Sequence, residues 1–162
     1  MYRDLNTTIP GAPNFKYKEF VKSDTAIRLG ISNTPNKNQW RSVEVLTRNI
    51  LQPLRDKFGR IRITSGFRSE ELNKAINGAT PSDHCIGEAA DIELINSDTS
   101  LVEMATWIDK NLSYKKLVCE YFPNGWIHIS YSKGENKKIL LAKDYKHNYN
   151  RINISDIKNK YE

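Results

Sequence analysis

Between residues 39 and 58, apolar side chains recur at Val43, Leu46, Ile50, Leu54 and Phe58, in steps of three and four. That period marks one face of a helix, and Pro53 inside the run predicts a kink or a break before Gly59 ends it. The period then changes to two. Ile61 and Ile63 alternate with polar neighbours over 60–64, which predicts a strand leading into Ser65-Gly66-Phe67-Arg68-Ser69. Ser69 can cap a second helix, with Glu70 and Glu71 in its first turn, Leu72 and Ile76 as its apolar stripe and Gly78 as its stop. Residues 89–95 form an apolar strand-like run that turns at Asn96-Ser97-Asp98. Ser100 and Glu103 have capping-box spacing and open a helix with Leu101, Ala105, Ile108 and Leu112 on one face. A hairpin follows, 117–122 against 126–132, around Pro123-Asn124-Gly125. A turn at 133–136 and a strand at 139–142 close the patterned region.

Upstream, Pro10, Gly11 and Pro13 make residues 1–14 read as an extended arm, and 15–20 is amphipathic. Ser23-Asp24-Thr25 can cap a short helix over 26–29 that ends at Gly30, and 33–36 reads as a turn. Residues 143–162 read as a polar tail, with His147 an exposed bystander. No repeat or linker splits the chain. The expectation is a single α+β domain over 15–142, its helices packed on a small, mainly antiparallel sheet.

Composition narrows the classes. At 162 residues the chain can bury one core, and 38% hydrophobic with 27% charged residues suits a globular rather than a disordered chain. No apolar run approaches the roughly 20 residues that span a bilayer. Cys85 and Cys119 are too few for a disulfide framework and read as thiols, although a bond between them stays open. A net charge of +6 favours anionic partners, with nucleic acid and the anionic polymers of a cell wall as the candidates. The lysines are scattered, with no arginine-rich helix and no basic–aromatic interleave, so the charge reads as attraction to an anionic surface and not as a nucleic-acid reader.

The candidate chemistry centres on Ser82-Asp83-His84-Cys85-Ile86-Gly87-Glu88-Ala89-Ala90-Asp91. An imidazole and a carboxylate are two of the ligand types zinc takes from proteins, and Trp126-Ile127-His128-Ile129-Ser130 supplies a second imidazole. His84, Asp91 and His128 would make a site with three protein ligands and a fourth position for water. Arg68, in a Gly-containing turn at a strand end, can clamp a substrate carboxylate. Ser82 can orient a ligand or bind substrate, and Trp126 can wall the pocket. Glu88 and Glu93 flank Asp91, and Glu93 shares its strand parity, so it is the nearer rival for metal or base duty. The bland alternative is a His84 satisfied by a backbone carbonyl and an Asp91 capping a strand; a structural zinc on Cys85, Cys119 and the histidines would need adjacent His84 and Cys85 to chelate from opposite sides of the chain.

The hairpin supplies a base. With a three-residue loop, Glu120 directly faces His128, Cβ atoms about 4.5–5.5 Å apart; a two-residue Asn-Gly turn would put them on opposite faces. We expect the three-residue loop, with Leu117, Cys119, Ile127 and Ile129 on the opposite, core face. Glu120 could then take a proton from a zinc-activated water.

Ser65-Gly66-x-Arg68-Ser69, Ser82-x-His84-x-x-Gly87-x-Ala89-x-Asp91, and Glu120 followed by Trp126-x-His128-x-Ser130 resemble the zinc D-Ala-D-Ala metallopeptidase family. That family comprises cell-wall carboxypeptidases, vancomycin-resistance dipeptidases and phage L-alanyl-D-glutamate endolysins. Gln52-Pro53-Leu54-Arg55 resembles its carboxypeptidase-like branch, and the likeness covers about residues 15–132. It implies a fold shared with hedgehog signalling domains, one Zn2+ on His84, Asp91 and His128, and Arg68 binding substrate. In several branches the catalytic acid stands three residues before the second histidine. Here that position is Gly125, which leaves Glu120 as the acidic residue of the hairpin before His128.

The expected activity is hydrolysis of peptidoglycan stem peptides at the D-Ala-D-Ala bond by a monomer. L-alanyl-D-glutamate cleavage, and a zinc-stabilised wall-binding or phage structural module without catalysis, are the alternatives. Met1 to Asn6 lack the apolar core of a signal peptide. The expected route is therefore cytoplasmic synthesis followed by holin-type or other non-classical release.

Overall fold

A helix-rich first half and a strand-rich second half of the chain meet as layers. The computed structural model describes residues 3–95, 98–122, 124–134, 139–143 and 149–151. The N-terminal stretch, expected as an arm, folds back as a hairpin of β1 (Thr8–Ile9) and β2 (Ala12–Lys16). Ile9, Ala12 and Phe15 are apolar and buried, so the hairpin joins the core. α1 (Lys18–Val21) follows. In α2 (Asp24–Leu29) the Ser23 hydroxyl accepts from the Ala26 amide, and Gly30 closes the end in the left-handed region.

The long apolar period forms α3 (Lys37–Leu46), a π turn (Thr47–Leu51) and α4 (Gln52–Phe58). Asn36 and Gln39 make a capping box at its start. Pro53 neither kinks nor breaks the run at its own position. The widened turn just before it carries the mismatch: Gln52 donates to the carbonyl of Thr47, and the Thr47 and Asn49 side chains donate to Val43 and Val45. An inserted residue of this kind satisfies the backbone around a proline that cannot donate. It also lets consecutive Ile50 and Leu51 both point inward, each fully buried.

β3 (Ile61–Ser65), α5 (Glu70–Ala75), a 3-10 turn (Asp83–Ile86), β4 (Ala89–Leu94), α6 (Leu101–Asn111), β5 (Lys116–Glu120) and β6 (Trp126–Ser130) come next. Both expected caps are present: Ser69 accepts from the Leu72 amide, and Ser100 and Glu103 form the capping box. α5 stops before Ile76, which is exposed and adds nothing to the core. With β7 (Ile139–Lys143) and β8 (Tyr149–Arg151), the sheet order is β3-β4-β6-β5-β7-β8. The β5–β7 pair is parallel and the rest are antiparallel. β8 lies in the stretch read as a polar tail, where it pairs with β7. Asn96, Ser97, Pro123, Glu135, Asn136 and His147 lie outside the described residues.

Alternation gives the sheet two unlike faces. Ala90 and Ile92 of β4, Leu117 and Cys119 of β5, and Ile127 and Ile129 of β6 are buried in one cluster with Leu46, Ile50 and Leu54 of the long helical run and Ala105 and Ile108 of α6. Burying a Leu or Ile side chain is worth about 1.5–3 kcal/mol, so this face holds the layers together. The opposite face carries Asp91, His128, Glu120 and Trp126, and opens into a cleft. This is the α+β architecture expected from the sequence. Among the described residues, no helix is long and apolar enough to cross a membrane.

Candidate metal centre

Three segments converge on the open face. His84 rides on the 3-10 turn, which Gly87 closes at φ 76°. A Cβ at Gly87 would stand 2.5 Å from the Gln39 carbonyl oxygen, so only glycine lets the turn lie against α3. The Gln39 amide donates to the Cys85 carbonyl and pins the turn from the same helix. Asp91 and His128 face each other across β4 and β6, and Asp91 also pairs with Ser65 at the end of β3.

His84 Nε2 lies 3.2 Å from His128 Nδ1 and 3.4 Å from Asp91 Oδ1, and His128 Nδ1 lies 2.8 Å from the same oxygen. A tetrahedral zinc with N and O ligands at about 2.0–2.2 Å sets its ligand atoms roughly 3.3–3.6 Å apart. The triangle is therefore one face of such a tetrahedron, slightly contracted, and its donors are the types zinc takes. The residues present fit the ion. Among the described residues, these three form the cluster of metal-ligating side chains.

The surroundings prepare the donors. His84 Nδ1 donates to the Gly66 carbonyl at 2.6 Å, which fixes its tautomer and leaves the Nε2 lone pair facing the other two ligands. Arg68 Nη2 donates to Asp91 Oδ2 at 2.7 Å and Arg68 Nε to Ser65 Oγ at 2.7 Å. Burial of Asp91 opposes its charge, but the two imidazoles outweigh it and hold the carboxyl well below the usual carboxylate range. Asp91 is thus an ionised donor, and His84 and Asp91 are both almost wholly buried.

The hairpin register differs from the expected one. Glu120 pairs with Trp126, and Val118 is the residue opposite His128. The connection is five residues, 121–125, not three. Tyr121 takes a positive φ of 49°, and Phe122 turns into the core instead of pairing with Trp126. The shift is two residues, so parity is kept: Glu120 stays on the face of His128, displaced diagonally to about 7–8 Å by Cα. A glutamate side chain can span that gap. Glu120 is buried and lines the cleft.

The cleft, about 710 Å³, is also lined by Arg68, Ser82, Trp126, Asn77, Pro81, Asp83 and Lys116. Trp126 leans on the Tyr121 ring, centroids 5.0 Å apart. Ser82 precedes the 3-10 turn without capping it by its side chain. The rivals of Asp91 are engaged elsewhere: Glu93 pairs with Arg62, and Glu88 takes the Ser132 hydroxyl and lies 3.6 Å from Lys115. Neither cysteine joins the cluster. Both are free thiols; Cys119 points into the core, where burial and the Glu120 charge push it up to about 12.

Sequence reading did not single out Asp83 or Lys116. Asp83 accepts from Lys115 at 2.8 Å and anchors the His84 turn to the start of β5. The alternation Lys116, Val118, Glu120 was the signal that could have found Lys116, since it puts all three on one face.

A family model described as Peptidase M15 matches residues 13–130, a span that includes every side chain of the cleft named above. No curated protein matches the chain.

Proposed function

This chain belongs to the peptidase M15 family, and from that premise we propose that it is a zinc peptidase cutting peptidoglycan stem peptides, foremost at the D-Ala-D-Ala bond. The observation that carries the reading is the His84–Asp91–His128 triangle on the floor of a cleft, with a buried carboxylate on the adjacent strand. His84, Asp91 and His128 are the metal ligands in this reading. Zinc held there would supply Lewis acidity and a water acidified toward neutrality. Glu120 is the general base. It accepts the proton of the attacking water and returns it to the leaving amine, within reach by the strand parity described above. Arg68 holds Asp91 in place and, lining the cleft, binds substrate; Ser82 binds the peptide at the mouth of the 3-10 turn, and Trp126 walls the cleft beside Glu120. The basic charge draws the protein to the anionic wall.

L-alanyl-D-glutamate cleavage is the close alternative, since cleft shape beyond the metal ligands decides the bond. The experiment is mass spectrometry of pentapeptide and cross-linked muropeptides after incubation with zinc-loaded protein, beside a chelated control. Loss of one terminal alanine, abolished by chelation, supports the D-Ala-D-Ala reading. A cut after the first L-alanine moves the assignment to the alternative bond. No cleavage despite one bound zinc would leave a zinc-stabilised binding module.

A further inference from the structure

Two cations line the cleft, and they stand in different circumstances. Arg68 has two donor atoms committed, Nη2 to Asp91 and Nε to Ser65. Lys116 is half-buried and makes no ion pair or hydrogen bond through its side chain with any described residue. Its field falls on Asp83, whose carboxylate Lys115 already holds at 2.8 Å. A half-buried ammonium facing a cleft, beside a carboxylate that its neighbour already holds, is placed to receive an anion from the cleft.

The register locates it. Val118 faces His128; Glu120 stands two residues to one side of Val118 and Lys116 two residues to the other. At about 3.4 Å per residue, base and cation flank the metal-ligand triangle at about 7 Å each way along β5. The bond attacked lies between them. An α-carboxylate on the residue after that bond is one residue away, about 3.8 Å, within reach of a flexible four-carbon stem. Both candidate bonds present such a group: the terminal carboxylate of D-Ala-D-Ala, and the free α-carboxylate of γ-linked D-glutamate after L-alanine.

The geometry points to Lys116 as the specificity residue of the cleft, binding the free α-carboxylate on the residue that follows the cut. This rests on the peptidase reading and deepens it. A charge-assisted hydrogen bond of this kind is worth about ten- to a hundredfold in binding.

The test uses the zinc-loaded full chain and two pairs of peptides. One pair is a stem pentapeptide ending in D-Ala-D-Ala, as free acid and as C-terminal amide. The other is an L-Ala-γ-D-Glu peptide with its α-carboxylate free or amidated. The wild type is expected to prefer the acid of whichever pair it cleaves, which also separates the two sources of the carboxylate. Lys116→Met should lose about tenfold or more in kcat/KM on the acid, mainly through KM, with the amide changed less than about twofold. Lys116→Arg should restore much of the loss. Equal losses on acid and amide, or a preference intact in Lys116→Met, would overturn the assignment while leaving the peptidase reading standing. If the wild type cleaves none of the four, the peptidase reading falls, and calorimetry decides Lys116. Weaker binding of the acid alone by Lys116→Met supports the assignment, and unchanged binding overturns it.

Discussion

Gly66→Ala is a single methyl placed against Phe20, and the structure says what it should do. A Cβ at Gly66 would stand 2.7 Å from both the Cα and the carbonyl oxygen of Phe20. Ordinary contact begins near 3.4 Å, so one backbone must retreat by roughly 0.7 Å, and neither is a flexible side-chain tip. The Phe67 amide donates to the same Phe20 carbonyl at 2.7 Å, which resists the retreat on one side. On the other side the Gly66 carbonyl accepts from His84 Nδ1 at 2.6 Å. Moving Gly66 by 0.7 Å takes that bond to about 3.3 Å, the weak end of the hydrogen-bond range. Partners that orient a metal-bound histidine typically carry 10- to 100-fold in metal affinity. We therefore expect Gly66→Ala to weaken zinc binding by about that factor and to cost about 1–3 kcal/mol of stability from overpacking. Competition with a chromophoric chelator measures the first and thermal unfolding of the metal-free protein the second. A zinc affinity within twofold of wild type, with the stability loss present, would show that the Gly66 carbonyl does not orient His84 as a ligand.

Glu120→Gln keeps volume and removes basicity, so kcat should fall about 10²- to 10⁴-fold with one zinc still bound; a fall under threefold would remove Glu120 as base. Arg68→Met deletes the 2.7 Å bond to Asp91 and should lower zinc affinity about 10- to 100-fold, whereas unchanged affinity with a raised KM would make Arg68 a substrate residue alone. Chelating zinc from protein held at 100 times its Kd removes about 2.7 kcal/mol, which for a chain of this size is a fall of about 5–10 °C in Tm; a Tm that ignores the chelator would refute a folded-state metal site. Burial opposes the charge of Asp83, but the hydrogen bond from Lys115 and the positive field of Lys115 and Lys116 outweigh it and hold its carboxyl below the usual range. A depressed pKa contributes stability above the unfolded value and loses it as pH falls through the folded one. Lys115→Met should thus be destabilised, by up to about 1 kcal/mol, at pH 6, with the gap closing toward pH 2; a gap that widens in acid would contradict the sign.

The parts legible in the sequence were those written in local rules. The helical period from Val43 to Phe58, the caps at Ser23, Ser69 and Ser100, and the two faces of the hairpin all came from spacing that backbone geometry imposes. The hairpin loop did not. Asn124-Gly125 advertises a short turn, yet Phe122 gains more by entering the core than by extending the ladder, and Tyr121 takes a left-handed backbone to allow it. The π turn was hidden for a related reason: Pro53 announces a fault, but which residue absorbs it depends on Ile50 and Leu51 both having a core to enter. β8 has no alternation to betray it and exists through pairing with a strand that is itself joined in parallel to β5.

Register errors of this kind do unequal damage. A shift of one residue would have moved Glu120 to the core face; the actual shift of two left it in the cleft and changed only its neighbour. The ligand triangle is insulated even from that. His84 is set by the Gly66 carbonyl and by α3, Asp91 by β3 and Arg68, and His128 by its partner on β4, so a two-residue slide of β5 leaves each of these contacts in place. β5 instead contributes Lys116, Val118 and Glu120 along one edge of the triangle. In the proposed reading, metal retention and recognition of the substrate carboxylate thus call on different strands. Lys116→Met is therefore expected to keep its zinc affinity, read by chelator competition, while it loses its preference for the free carboxylate; a parallel loss of zinc would refute the separation.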